Sequence, residues 1–217
     1  MSAPVAVFDR ITAIAVMPVI AIESLEHALP LTDALLEGGL AAIEITFRTA
    51  AAADVIAKIS AGRPEMLVGA GTILDGGQVS RAVAAGASFG LAPGFDPAVV
   101  DAAKATGLPF APGIMTPSDI SLAVTRGCQT MKFFPAAHAG GPAMLKNIAA
   151  PFAHLGLRFV PTGGVSLETM GDWLRLPEIS AVGGTWIAST KHITDCDWSG
   201  ITARARAAAA QAREFRQ

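Results

Sequence analysis

A chain of 217 residues with a formal net charge of −2 and a pI near 6.1 can bury one sizeable core and carries no electrostatic footprint for nucleic acid. Charged residues make up only 16% and mean hydropathy is +0.48, so a membrane protein and a compact enzyme with a large apolar interior are the competing classes. No run reaches the roughly 18 apolar residues of a membrane span, and the distant Cys128 and Cys196 imply neither a disulfide framework nor a metal site.

The longest apolar run, residues 11–22, is interrupted by Thr12 and Pro18 and closed by Glu23. It follows Arg10 as a signal peptide would, but Asp9 precedes it, and Glu23 and Glu26 follow without a small-residue cleavage site. It reads as a first buried strand, drawn over residues 13–22, in a cytoplasmic protein. Seven further strands are expected at 42–47, 67–72, 89–94, 109–114, 130–135, 158–163 and 180–185. Amphipathic helices fall between them, for example at 25–37, 50–60, 77–85, 97–105 and 117–126, and residues 203–217 read as a terminal helix with an exposed basic face. Gly38-Gly39, Gly62, Gly86, Gly107 and Gly127 stand where a helix C′ glycine is expected.

Alternation of strand and helix, with near-continuous apolar strands, predicts α/β architecture with a parallel sheet. The fold expected is a (β/α)8 TIM barrel with an N-terminal extra helix, one domain over residues 1–217. A doubly wound sheet would put a dinucleotide glycine loop after the first strand, and Ile20-Ala21-Ile22-Glu23-Ser24 is not one. Low surface charge and high apolar content fit an oligomer.

Within this frame the stretch Gln129-Thr130-Met131-Lys132-Phe133-Phe134-Pro135 stands out. A lysine inside a strand buried on both faces costs several kcal/mol unless its charge is paired or removed, and a neutral amine is what carbonyl chemistry needs. Side chains at i, i+2 and i+4 share a strand face. Glu44, Thr46 and Arg48 therefore point together, as do Thr130, Lys132 and Phe134, Ala70 and Thr72, and Val160 and Thr162. If these faces are inward, Glu44 and Lys132 lie inside, with Arg48, Thr72, Pro93 and Thr162 nearer the C-terminal mouth, where such barrels keep their catalytic residues. A buried ion pair without chemistry is the rival reading, and it is a weak one because such pairs stabilise less than apolar packing.

Two glycine pairs, in Pro161-Thr162-Gly163-Gly164-Val165-Ser166 and Ala181-Val182-Gly183-Gly184-Thr185, follow the last two strands, the first expected to open a helix. Loops in these two positions form the recurrent phosphate site of the fold, where backbone N–H groups approach the anion closely. His27, His138, His154 and His192 show no paired metal-ligand spacing, so no metal is expected.

These motifs, together with Pro18-Val19-Ile20, Glu44-Ile45-Thr46-Phe47-Arg48-Thr49, Val68-Gly69-Ala70-Gly71-Thr72, Ala92-Pro93-Gly94, Pro112-Gly113, Lys132-Phe133-Phe134-Pro135-Ala136 and Gly183-Gly184-Thr185-Trp186, give the chain a family resemblance over residues 16–188. It resembles the 2-keto-3-deoxy-6-phosphogluconate aldolases, class I pyruvate aldolases that also act on 4-hydroxy-2-oxoglutarate. The resemblance implies a Schiff base on Lys132, proton shuttling by Glu44, and a pyruvate carboxylate held by Arg48 and Thr72. It implies that Pro93 and Phe134 wall the pocket, that Thr162 meets the substrate hydroxyls, and that Gly163, Gly164, Gly184 and Thr185 receive the phosphate. It further implies a homotrimer, no cofactor, a small keto-acid phosphate as partner, and neither nucleic acid nor membrane.

Two departures from the family pattern are visible. Thr185 stands where relatives often have serine, and no arginine follows the first strand, which shifts the phosphate grip to backbone amides. Thr162 favours the gluco-configured substrate over the galacto-configured one. A related galacto-specific aldolase and a non-catalytic phosphosugar-binding barrel are the alternatives; the second predicts binding without turnover.

Overall fold

The computed structural model describes residues 3–216, with side chains from Val7 onward; residues 1, 2 and 217 of the expected 1–217 domain lie outside the described residues. The chain runs α1 (Ala3–Ile14), β1 (Val16–Ile20), α2 (Ala28–Glu37), β2 (Ala42–Thr46), α3 (Ala52–Gly62), β3 (Leu67–Gly71), α4 (Gly76–Ala84), β4 (Phe89–Leu91), α5 (Pro97–Ala105), β5 (Phe110–Ala111), β6 (Gly113–Ile114), α6 (Pro117–Thr125), β7 (Thr130–Phe133), α7 (Gly141–Ala149), β8 (Arg158–Pro161), α8 (Met170–Leu174), β9 (Val182–Gly184), α9 (Thr190–Thr194) and α10 (Trp198–Phe215). All strand pairs are parallel. Six strands form one sheet in the order β5-β4-β3-β2-β1-β9, and three form another in the order β6-β7-β8.

The two sheets meet at both ends. β5 and β6 are pieces of one run parted at Pro112, which has no N–H for a ladder, although its carbonyl still accepts from Lys132 N at 2.8 Å. At the other end, Gly183 of β9 makes a parallel bridge with Thr162, just beyond β8. The result is a curled, parallel α/β sheet.

Each face of that sheet carries its own apolar cluster. On the concave face Met17, Ala42, Leu67, Phe89, Leu91, Ala111, Val160 and Ala181 pack against Val7, Phe8 and Ile11 of α1. On the convex face Val16, Ile20, Ile43, Ile45, Val68, Ala70, Met131, Phe133 and Phe159 pack against the helices. Burial on both faces explains the near-continuous apolar strands. The terminal helix buries Ile201, Thr202, Ala205, Ala208, Ala209 and Ala212 and exposes Arg206 and Arg213.

Several boundaries move from the expected ones. The apolar run at 11–22 is not one strand: its first part belongs to α1, and the chain turns at Ala15 with φ 65° before β1 begins. Both halves are buried, so hydrophobicity alone cannot mark the change of period. The strands end before 47, 72, 92, 134, 162 and 185, leaving those residues to loops. Gly62 is the last residue of α3 and not a C′ glycine; Arg63 takes the cap at φ −141°. A Cβ at Gly62 would lie 3.0 Å from Leu29 Cδ2, so the glycine serves close packing of α3 on α2.

The pairing of Ala70 with Thr72 on an inward face is also corrected. Ala70 lies in the convex cluster, so the inward positions of β3 are its neighbours Gly69 and Gly71. A Cβ on Gly69 would sit 2.1 Å from the Phe89 ring, which is fully buried. Gly69→Ala should therefore destabilise the protein by about 1–3 kcal/mol through overpacking. Gly94→Ala, where an added Cβ meets nothing within 4 Å, should stay within about 0.5 kcal/mol of the parent. Urea denaturation of the two variants measures the contrast, and equal midpoints would remove the packing argument.

Candidate active site

β7 puts Lys132 opposite Gly113 of β6 and Val160 of β8. β2 puts Glu44 opposite Val19 of β1 and Gly69 of β3. Because inward positions alternate, both side chains lie one layer above the apolar floor made by Ala42, Leu67, Val160 and α1. They meet there: Lys132 Nζ donates to Glu44 Oε1 at 2.9 Å, with Lys132 4% and Glu44 0% exposed. Glu44 Oε2 is buried without a hydrogen-bond partner among the described residues. An unsatisfied carboxylate oxygen in a closed site is poised for a ligand proton or a water.

Glycines make room for this pair. A Cβ at Gly71 would fall 2.0 Å from Glu44 Oε1, so only glycine at that inward position leaves space for the carboxylate. A Cβ at Gly113 would fall 2.2 Å from the Pro93 carbonyl carbon, so Gly113 lets the end of β4 close against the strand beside Lys132. Neither glycine was among the sequence-predicted site residues. Their signal was present, because Gly69 and Gly71 alternate on a strand in register with Glu44.

The remaining predicted residues surround the pair with unequal engagement. Arg48 follows β2 and is exposed. Its Nε donates to Thr46 Oγ1 at 3.1 Å, and the Thr46 hydroxyl donates to Ile20 O at 3.0 Å. The other guanidinium N–H groups have no partner among the described residues. One nitrogen is thus anchored and the fork remains open to an anion. Thr72, immediately after β3, is held at φ 57°, a left-handed conformation that costs a β-branched residue about 1–3 kcal/mol and tends to mark functional sites. Backbone bonds from Phe47 N to Gly71 O at 2.8 Å and from Ile73 N to Leu91 O at 3.1 Å flank it.

Pro93 is half-buried, and Phe134 is 36% exposed with its ring centroid 5.8 Å from Lys132 Nζ. Thr162 is 5% exposed, its hydroxyl reaching only Val160 O at 3.5 Å. A Cβ on Gly183 would come within 2.5 Å of Thr162 Oγ1, so the β9 glycine admits this threonine.

The glycine pairs differ from expectation. Gly163 and Gly164 adopt φ 96° and 75°, and Ala136 N and Ala137 N donate to Thr162 O and Gly163 O at 2.8 and 2.9 Å. No helix opens at Val165. A local turn intervenes, with Ser166 N donating to Thr169 Oγ1 at 3.0 Å, and α8 starts only at Met170. Backbone amides and not a helix terminus are therefore what this loop offers an anion. Gly184 ends β9, and a Cβ there would strike the Trp186 ring at 2.1 Å, so this glycine also has a packing reason. Thr185 is exposed beside it, five residues before α9.

Comparison with known proteins finds similarity over most of the chain. The family model described as KDPG and KHG aldolase matches residues 7–204. The 2-dehydro-3-deoxy-phosphogluconate aldolase of Treponema pallidum (strain Nichols) is 40% identical over 92% of this chain and 94% of its own length. A crystal structure of KDPG aldolase from Legionella pneumophila, with pyruvate captured at low pH as a covalent carbinolamine intermediate, superposes with TM-score 0.88 at 39% identity, covering 94% of this chain and 97% of the other. The aldolase of Zymomonas mobilis ZM4 with 3-phosphoglycerate gives TM-score 0.85 at 36% identity, covering 94% and 95%. By these matches over nearly its whole length, the chain belongs to the KDPG and KHG aldolase family.

Proposed function

We propose that this protein is a class I lyase cleaving 2-keto-3-deoxy-6-phosphogluconate to pyruvate and glyceraldehyde 3-phosphate, the cleavage step of the Entner-Doudoroff route, with 4-hydroxy-2-oxoglutarate as a second substrate giving pyruvate and glyoxylate. The observation that carries this reading is the buried Lys132–Glu44 contact of 2.9 Å. The pyruvate carbinolamine of the Legionella relative and the 3-phosphoglycerate of the Zymomonas relative support the two halves of the substrate.

In the proposed mechanism Lys132, its proton passed to Glu44, attacks the 2-keto carbon to give a carbinolamine. Glu44 gives that proton to the departing hydroxyl, and loss of water leaves a protonated imine, an electron sink, with Glu44 again a carboxylate. Glu44, directly or through a water, takes the proton of the C4 hydroxyl. The C3–C4 bond then breaks, its electron pair moving into the imine to form an enamine, and the aldehyde departs. Glu44 returns a proton to C3, and water hydrolyses the imine to release pyruvate and Lys132. Arg48 grips the carboxylate with its open fork and Thr72 assists from its fixed loop position. Pro93 and Phe134 wall the pocket, Thr162 meets the substrate hydroxyls, and Gly163, Gly164, Gly184 and Thr185 receive the phosphate.

We read the curled sheet as a closed (β/α)8 barrel over the described residues 3–216, with α1 as its extra helix. The junctions at Pro112 and at the Thr162–Gly183 bridge support closure. We also propose a cytoplasmic homotrimer; exposed Leu74, Met115 and Leu122 offer apolar surface for subunit contacts. Among the described residues no helix is long and apolar enough to cross a membrane.

Pyruvate with borohydride should leave one stable reduced adduct, on Lys132, located by mass spectrometry of the digested protein. An adduct on Lys104, Lys146 or Lys191 instead would move the active site and overturn the assignment. Glu44→Gln should still form that adduct slowly but lose about 10²–10⁴-fold in kcat, the usual contribution of a general acid–base group. A loss below about threefold, well under that range, would make Glu44 an ion-pair partner only.

For the phosphate loop, Gly163→Ala strains a backbone held at φ 96° and sets a Cβ 3.2 Å from the Phe134 ring, a milder clash than that of Gly184→Ala with Trp186. It should raise KM for the phosphorylated substrate and spare 4-hydroxy-2-oxoglutarate, both measured after a thermal melt verifies folding. Equal losses on the two substrates would mean that the phosphate is held elsewhere.

A further inference from the structure

The end of the strands opposite the Lys132 pair holds a second concavity. It is a cleft of about 640 Å³ between α1, the C-terminal ends of α5 and α6, and the N-terminal ends of β5, β7 and β8. One wall is apolar, with Phe8, Leu108 and Phe110. The other side carries Lys104, Arg126 and Arg158, with Ser180 and Thr130 deeper in. Volume and mixed lining are those of a small-molecule site.

The polar groups there are incompletely satisfied. Ser180 is 1% exposed and its Oγ has no partner among the described residues. Arg126 Nε is buried and makes no hydrogen bond; Asp101 Oδ1, at 3.5 Å, is within ion-pair reach only. Arg158 donates one N–H to Pro177 O, and Lys104 has no partner among the described residues. Behind Ser180, Arg216 Nη2 donates to Ile179 O at 2.8 Å and to Ser180 O at 2.6 Å, adding a fourth positive charge. Against these stand Asp9, on the cleft wall, and Asp101.

Cations in the last turn of α5 and at the C-cap of α6 have an ordinary explanation, since they complement the helix dipoles. That accounts for Lys104 and Arg126. It does not account for Arg158, which starts a strand, or for a buried serine hydroxyl left without a partner.

We propose that this cleft binds a small organic oxyanion, a carboxylate or phosphate carried on an apolar body. Arg126, Arg158 and the Ser180 hydroxyl hold the anionic group, Lys104 adds charge, and Phe8, Leu108 and Phe110 cover the body. The site is separate from the pocket at Lys132.

Calorimetric titration of the full chain with phthalate and with adenosine 5′-monophosphate tests it, the two probes separating carboxylate from phosphate as the anionic group. At least one should bind at sub-millimolar concentration, with affinity falling as KCl is raised. The double variant Arg126→Gln/Arg158→Gln should weaken binding about tenfold or more. Ser180→Ala should weaken it less, Arg158→Lys should retain most of it, and Arg48→Gln, at the far end of the strands, should leave it unchanged. If the double variant melts early, Ser180→Ala and Arg158→Lys decide the matter alone. Absence of binding by both probes at millimolar concentration overturns the proposal. So does binding that survives the cleft variants and is lost in Arg48→Gln, which would put the anions in the substrate pocket.

Discussion

The arrangement of this molecule turns on one contact, the amine of Lys132 against the carboxylate of Glu44 at 2.9 Å, both buried. Moving such a pair out of water costs several kcal/mol per ion before their attraction offsets it, and apolar residues of the same volume would usually stabilise the fold at least as well. One carboxylate oxygen is left without a partner, which adds to the cost. A contact that expensive fits the proposed chemistry better than a stabilising role, and its neighbours leave room for it. Gly71 is the inward residue whose side chain would occupy the carboxylate's space, and Gly113 is the one that lets Pro93 approach β6, the strand beside the lysine's.

The concave face is graded along the strand direction. Its lower layer is an apolar floor, capped by Val7, Phe8 and Ile11 of α1. Its upper layer is where Glu44, Lys132 and Thr162 stand, each more than nine-tenths buried. An apolar floor lowers the local dielectric, which strengthens both the pair's attraction and its interaction with a developing charge. The stable half and the reactive half are therefore the same strands read two residues apart.

Beyond the strand ends the loops hold groups whose polar capacity is only partly used. Arg48 is fixed by one nitrogen on Thr46, itself tied to Ile20. Thr72 is held in a left-handed conformation between backbone bonds. Thr162 and Gly163 accept backbone bonds from Ala136 N and Ala137 N of the neighbouring segment. Pre-organisation of this kind means that little ordering entropy remains to be lost when a ligand binds.

The sequence by itself determined a good deal. Alternation of apolar runs with amphipathic ones forces a parallel α/β sheet, because strands apolar on both faces need helices on one side and a core on the other. A lysine within such a strand, and a glutamate alternating with Thr46 and Arg48, already marked the candidate reactive residues, since period-two geometry puts Glu44 on one face with Thr46 and Arg48. What the sequence lacked was any term for distance between strands 88 positions apart, and only tertiary packing decided that Lys132 and Glu44 touch. It also decided that Ala70 faces the helices while Gly69 and Gly71 face inward, since period two fixes which residues go together but not which face is concave. The run at 11–22 divided into helix and strand for the same reason: both halves are buried, so the signal that separates them lies in what each packs against. The glycines after β8 open a turn and not a helix because the Thr169 hydroxyl, three residues along, accepts the N–H of Ser166.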